Sequence, residues 1–224
     1  MPLQDDLEST VNSLFGAYSA STLAIPSNKG NLYELYLYLL LCTHISHISG
    51  RLRFVNPTGI FRFRCSPGPI NIRDFSYAEF MKNSDVYELR NGIEIEGFNM
   101  HHELDIIIFK GTQPNNLKPC HINTTIIWAI ECKNHKEISS LKGESRKFLG
   151  AVTDLSASAH SSAGCMHCGH SFEPFFATPV NATINNKTRI FLNSYGLNPE
   201  FDLRPYTRVE GNFIRKVVDM YVTL

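Results

Sequence analysis

Charge of one sign is what this chain most lacks. Its 21 Lys and Arg are matched by 21 Asp and Glu, a formal net charge of zero at pH 7. A global basic signature is therefore excluded, and any hold on a polyanion must come from local patches. A membrane-spanning run is also missing. The longest apolar stretch, Leu35 to Cys42, falls far short of the roughly 20 residues a helix needs to cross a bilayer, so no membrane partner is expected. Met1 to Glu8 is acidic and lacks the basic start of a signal peptide, which predicts a cytoplasmic location. The six cysteines are then expected to be reduced, with Cys42 and Cys132 as buried thiols in apolar segments. The sequons at Asn123, Asn181 and Asn186 are expected to be incidental. No repeat or low-complexity tract is present. At 224 residues and 43% hydrophobic content the chain reads as a single domain over 1–224, able to bury a substantial core. Its core lies at about 29–200, with a β-rich insertion at about 50–75.

What is present is acid at the ends of two apolar runs. His101-His102-Glu103-Leu104-Asp105 leads into Ile106 to Phe109, and Ile126 to Ile130 leads into Glu131-Cys132-Lys133. Short apolar runs of this kind make strands buried on both faces, where an unpaired carboxylate is costly. If the two strands are antiparallel neighbours, Asp105, Glu131 and Lys133 converge at the sheet rim. Alternation puts Glu131 and Lys133 on one side and Cys132 on the other. Two carboxylates and a lysine at one rim predict a divalent-metal hydrolase site. The competing reading is an exposed strand end with an ion pair worth at most about 1 kcal/mol.

This acid followed by Glu-Cys-Lys resembles the PD-(D/E)XK nuclease superfamily, although Leu104 stands where its motif expects Pro. Upstream, Lys29 to Leu41 reads as a buried helix, apolar nearly all round, with Asn31 or Ser27 as caps. Its one acid, Glu34, matches the glutamate that the superfamily often carries on its first helix; the other reading is a complement to the helix dipole. A strand around Tyr87 to Phe98, the Asp105 and Glu131 strands, a helix from about Leu141 to Ser158 and the run Phe175 to Val180 follow. The resemblance implies an α/β fold with a restriction-endonuclease-like αβββαβ core, a central mixed sheet flanked by helices. It also implies Mg²⁺, for which Mn²⁺ is able to substitute. Glu34, Asp105, Glu131 and the Cys132 backbone carbonyl would hold the metal, and Lys133 would position or deprotonate the attacking water or steady the developing charge. The implied activity is hydrolysis of DNA phosphodiester bonds, with a restriction or anti-phage setting and a homodimer or a defence-complex partner subunit as open assemblies. A non-catalytic nucleic-acid-binding or assembly subunit is the alternative.

Two basic surfaces are available to DNA. Arg51-Leu52-Arg53-Phe54-Val55 and Phe61-Arg62-Phe63-Arg64 alternate around Asn56-Pro57-Thr58-Gly59 and predict a hairpin with Arg51, Arg53, Arg62 and Arg64 on one face. That face suits a phosphate backbone or is a solvated face paired to nearby acids. Lys142, Arg146 and Lys147 begin the helix after Lys133 and admit the same two readings. His101, His102 and Glu103 read as a strand entry, and His135 shares the face of Lys133 if the strand continues. Cys165-x-x-Cys168 with His160, His167 and His170 has zinc-ligand types but only one Cys pair, so a flexible loop is the main expectation and a zinc adaptor the lesser one. Asn186 to Tyr195 reads as a last helix stopped by Gly196, and Phe213 to Val222 as an apolar tail that covers a sheet edge or a dimer contact.

Overall fold

Helices α1 (Pro2–Gly16) and α2 (Lys29–Ser49) precede strands β1 (Arg53–Val55), β2 (Tyr77–Lys82), β3 (Asp85–Glu96), β4 (His101–Lys110) and β5 (Thr125–Cys132). A short 3-10 turn (Ile138–Ser140) and α3 (Leu141–Ser161) lead to β6 (Glu173–Thr178), α4 (Lys187–Ser194), β7 (Asn198–Phe201) and α5 (Arg208–Thr223). The computed structural model describes residues 2–16, 28–56, 59–66, 68, 75–112, 125–135, 137–161, 172–183 and 186–224. Among them the seven strands form one open mixed sheet in chain order, antiparallel from β1 to β5 and parallel from β5 to β7. The class is α/β. No helix of the described residues is long and apolar enough to cross a membrane.

The sheet separates two cores. Helices α1, α2 and α5 cover one face, and α3 and α4 cover the other. Helix α2 is apolar all round because it is enclosed all round, by the sheet on one side and by α1 and α5 on the others. Leu35, Leu37, Leu39 and Leu41 are fully buried, and each such side chain contributes about 1.5–3 kcal/mol of burial. Asn28 caps this helix through its side-chain oxygen, which accepts from the Gly30 N–H at 2.8 Å, in place of the expected Asn31 or Ser27. Gly50 ends it in the left-handed conformation, which glycine adopts without steric cost.

Three expectations are corrected. The described residues of 51–64 do not form a two-stranded hairpin, and Pro57 and Thr58 of the expected turn lie outside them. Instead β1 pairs with β2, a strand the sequence reading missed, while Phe61 and Phe63 turn inward against Tyr38 of α2. Alternation holds from Phe61 to Phe63, with Arg62 exposed between two buried rings, and stops at Arg64, which is only 5% exposed and cannot lie on a solvent-facing ribbon. Its guanidinium donates to the carbonyls of Gly68 and Gly92 at 2.6 and 3.1 Å. The last helix is not the one after Asn186. Phe213 to Val222 belongs to α5, capped by the Thr207 hydroxyl and anchored by Phe213 against Trp128 and Phe175.

One irregularity places the site. Tyr87 and Leu89 pack on the α2 side, yet Ile93 and Ile95, of the same parity, pack on the α3 side. On β4, Ile106 and Leu104 divide in the same way. The ladder pairs Asn91 with Ile106 and Ile93 with Leu104, skipping Gly92 and Asp105. Gly92 has φ of +58°, and a Cβ there would meet the Arg64 side chain at 2.9 Å. Replacing Gly92 by Ala is expected to cost about 1–3 kcal/mol, the usual range for a left-handed non-glycine residue. Gly211→Ala, on an exposed helical position with open space around it, should add about 0.5–1 kcal/mol. Denaturant midpoints of the two variants check this, and a Gly92→Ala midpoint equal to the parent's would show that the kink tolerates a side chain.

Candidate functional site

Two strand ends and one helix meet at the sheet rim. The β4–β5 register pairs Ile106 with Ile130, so one step outward Asp105 lies beside Glu131. Lys133 Nζ sits 2.6 Å from Glu131 Oε1 and 3.4 Å from Asp105 Oδ2, a single ammonium bridging both carboxylates. The Cys132 N–H donates to Asp105 Oδ2 at 2.6 Å, while its side chain turns into the α2-side core, as strand alternation requires. The Lys133 N–H donates to the Ala177 carbonyl at 2.9 Å, which ties the end of β5 to β6 and limits where the ammonium can reach.

Glu34 joins them from α2. It lies beyond the first helical turn, which carries no acid, so the helix dipole gives it little support. Burial first, then the charge of Asp105, pushes the Glu34 carboxyl up to about 9. The same two causes push Glu131 up to about 8. Burial raises Asp105 as well, against the Lys133 charge and the Cys132 N–H, which lower it. Burial and Asp105 also raise Glu103. For Lys133 burial opposes the charged form, but Asp105 and Glu131 outweigh it and the ammonium keeps its proton more firmly than usual. Four carboxyl groups thus share the field of one lysine, and the site is short of positive charge.

Glu103 was missed as a site group; it stands two residues before Asp105 on β4, exposed where Asp105 is buried, and feels its charge. Gly92 was missed as well, a lone glycine inside a strand pattern being the available signal, and Arg64, expected on a DNA-facing ribbon, is instead buried against it. His102 turns from the site to Asp154, 2.8 Å away. His135 lies within electrostatic reach of Glu144. Lys142, Arg146 and Lys147 are exposed on the first turns of α3, with Lys147 paired to Glu144 at 2.9 Å. Arg53 pairs with Glu79 at 2.6 Å, and Arg51 and Arg62 face solvent. Cys165, Cys168, His167 and His170 lie outside the described residues, as does the side chain of His160. Among the described residues no three His, Cys, Asp or Glu side chains form a metal-enclosing group by themselves.

The chain matches no protein-family model, no curated protein and no solved structure. The geometry stands by itself.

Glu34 ties stability to pH with a definite sign. Its carboxyl holds a proton in the folded protein up to about 9, whereas in the unfolded chain it ionises near its ordinary value of about 4.3. Between those values unfolding releases a proton, so stability falls as pH rises through that window. Glu34→Gln should therefore raise Tm at pH 8.5 in chelator and change it little at pH 5. Each 1 kcal/mol appears as about 2–4 °C for a chain of this size. Thermal melts at the two pH values check this, and an equal shift at both would show that the fold does not hold the Glu34 carboxyl in its protonated form.

Proposed function

We propose that this protein is a Mg²⁺-dependent endonuclease that hydrolyses DNA phosphodiester bonds. In this reading α2, β3, β4, β5, α3 and β6 form a restriction-endonuclease-like core. The observation that carries it is the meeting of Asp105, Glu131 and Lys133 at one sheet rim, with Glu34 beside them and too little positive charge to balance the acids. A restriction or anti-phage system is the setting this reading implies. A non-catalytic nucleic-acid-binding subunit would leave those buried carboxylates without a purpose.

The donor set fits Mg²⁺. That ion is usually held by one or two carboxylates together with waters and substrate phosphate, not by an all-protein cage. The hydrogen bonds and ion pairs described above fall on Asp105 Oδ2 and Glu131 Oε1, which leaves one oxygen of each carboxylate for a cation. The Cys132 carbonyl follows Glu131 directly in the chain, and Glu34 adds a fourth group from the helix. Mn²⁺ offers the same oxygen preference. When bound, the metal supplies charge neutralisation at the phosphoryl oxygens and lowers the pKa of a water. Lys133, held protonated by its two acidic neighbours, donates a hydrogen bond to a phosphoryl oxygen and steadies the charge that develops there. A role in taking a proton from water does not suit it in this field.

Supercoiled plasmid, linear duplex and single strands incubated with the protein in Mg²⁺ and in Mn²⁺ test the reading. Cleavage is expected with either metal and none in chelator. Lys133→Ala should slow cutting by about 100-fold or more, as loss of one charge-stabilising donor does, while duplex affinity stays close to that of the parent. Asp105→Asn should abolish both cutting and Mg²⁺ binding. A parent that cuts none of these substrates, or variants that cut at its rate, would sink the proposal.

A further inference from the structure

An arginine is rarely buried unless its charge is well met, and Arg64 is almost wholly buried. One of its nitrogens, Nη1, donates to the Gly68 carbonyl at 2.6 Å and to the Gly92 carbonyl at 3.1 Å. The guanidinium also lies 4.4 Å over the ring of Phe75, a cation–π contact. Its backbone is fixed as well, because the Arg64 carbonyl accepts from the Asn91 side-chain amide at 2.7 Å. Gly68 in turn donates its N–H to the Gly92 carbonyl and accepts from the Glu94 N–H at 3.0 Å. Arg64 and Gly68 are thereby both stitched onto β3 between Asn91 and Glu94.

Those contacts fall opposite the acidic cluster. The β3–β4 register pairs Asn91 with Ile106 and Ile93 with Leu104, so Gly92 stands across from Asp105, about 4.8 Å away at the usual strand spacing. The Arg64 stem fills the space that a side chain at Gly92 would need, its Cδ lying 2.9 Å from that Cβ position. Arg64 is also close enough to Glu103 for its charge to oppose the burial and the Asp105 charge that raise that carboxyl. On the other side of Asp105, its Oδ2 accepts from the Cys132 N–H at 2.6 Å and meets Lys133 Nζ at 3.4 Å. Two such contacts on one oxygen tolerate little drift of β4. A sheet needs no buried cation for its own sake, since apolar side chains would fill the same volume at a lower desolvation cost. A charged brace makes physical sense where groups have to be held to within about 0.5 Å.

We propose that Arg64 is a positioning residue for Asp105. By holding the Gly68 and Gly92 carbonyls it fixes the kink in β3, and through the kink it sets the Asp105 carboxylate between the Cys132 N–H and Lys133. A metal held by Asp105 feels this indirectly, as it feels any partner that orients its ligands. That consequence rests on reading the rim as a metal-dependent hydrolase, whereas the placement of Asp105 does not.

Cysteine-selective ¹⁵N labelling of the full-length protein reads the placement directly. The Cys132 amide reports its bond to Asp105, and the amide of Cys42, buried in α2, is the internal reference for global opening. Arg64→Met keeps the bulk and removes the donors. It should move the Cys132 resonance and speed its hydrogen exchange by about 10-fold more than that of Cys42, as a local opening does. Mn²⁺ affinity should fall by about 10–100-fold, and kcat on DNA should fall with KM nearly unchanged. Arg64→Lys should recover most of each loss, because both carbonyl bonds come from one nitrogen and an ammonium carries three donors. Should Arg64→Met not fold, Arg64→Gln, with a donor on a shorter stem, is read in its place. A folded variant whose Cys132 resonance stays put, and whose exchange rises no more than that of Cys42, overturns the proposal, since a merely structural loss has that signature. A Lys variant that regains the parent's melting temperature but not its Cys132 amide overturns it too. If the parent neither binds Mn²⁺ nor cuts while its Cys132 amide depends on Arg64, hydrolysis falls and the positioning stands. If Arg64→Met cuts like its parent with an unmoved Cys132 amide, the positioning falls and hydrolysis stands.

Discussion

The site depends on a local irregularity between β3 and β4, separate from the register shift that β4 makes against β5 at Ile108/Phe109. Between β3 and β4 the ladder skips Gly92 and Asp105, and both strands exchange their core-facing sides across it. A continuous ladder would have carried strict alternation through this point and aimed every second side chain at one core. The kink instead leaves an aspartate at the seam between two cores. Gly92 makes the kink accessible through its positive φ, and Arg64 stabilises it by bonding the Gly92 carbonyl. A second strand-like contact, between Gly68 and Ile93, reinforces the same place. Arg64 therefore acts on the site from a distance, as a brace for the backbone that carries Asp105.

The cluster that results is electrostatically costly. Glu34, Glu103, Asp105 and Glu131 are all pushed towards their protonated forms by burial, and Lys133 is the one cation that opposes this at all four, with Arg64 acting on Glu103 and the Cys132 N–H on Asp105. The cost here is one of crowded charge and not of missing hydrogen bonds, since Asp105, Glu131 and Lys133 partner one another, and a fold accommodates such crowding where function requires it. The cost is tolerable because the acids are mounted on well-packed supports. Fully buried α2 carries Glu34, and β4 and β5 lie in the middle of the sheet with partners on both sides. Rigid supports of this kind hold groups in place more accurately than loops do.

Much of this was legible in the sequence, for a local reason. The apolar runs at Ile106 to Phe109 and Ile126 to Ile130 are strands, and the helices expected at Lys29 to Leu41 and about Leu141 to Ser158 are present, running on to Ser49 and Ser161. Alternation also placed Glu131 and Lys133 together and Cys132 apart, and the structure pairs them at 2.6 Å. Such inferences need only the period of a strand or helix and the hydrophobicity of residues a few positions apart.

The failures share the opposite property. The pairing of β1 with β2, the burial of Arg64 and the docking of α5 through Phe213 all join residues far apart in the chain. The Arg-rich segment satisfied a hairpin pattern, and its apolar side chains do share one core, Phe61 lying against both Phe54 and Tyr38, but β1 takes β2 as its ladder partner. The sequence by itself determined which chemical groups are present and which side of its own element each occupies, because side-chain direction follows from local backbone geometry. Only the tertiary structure decided which groups meet, which arginines face water and where the sheet breaks. Those outcomes turn on competition for burial between distant segments, and no local period encodes that competition.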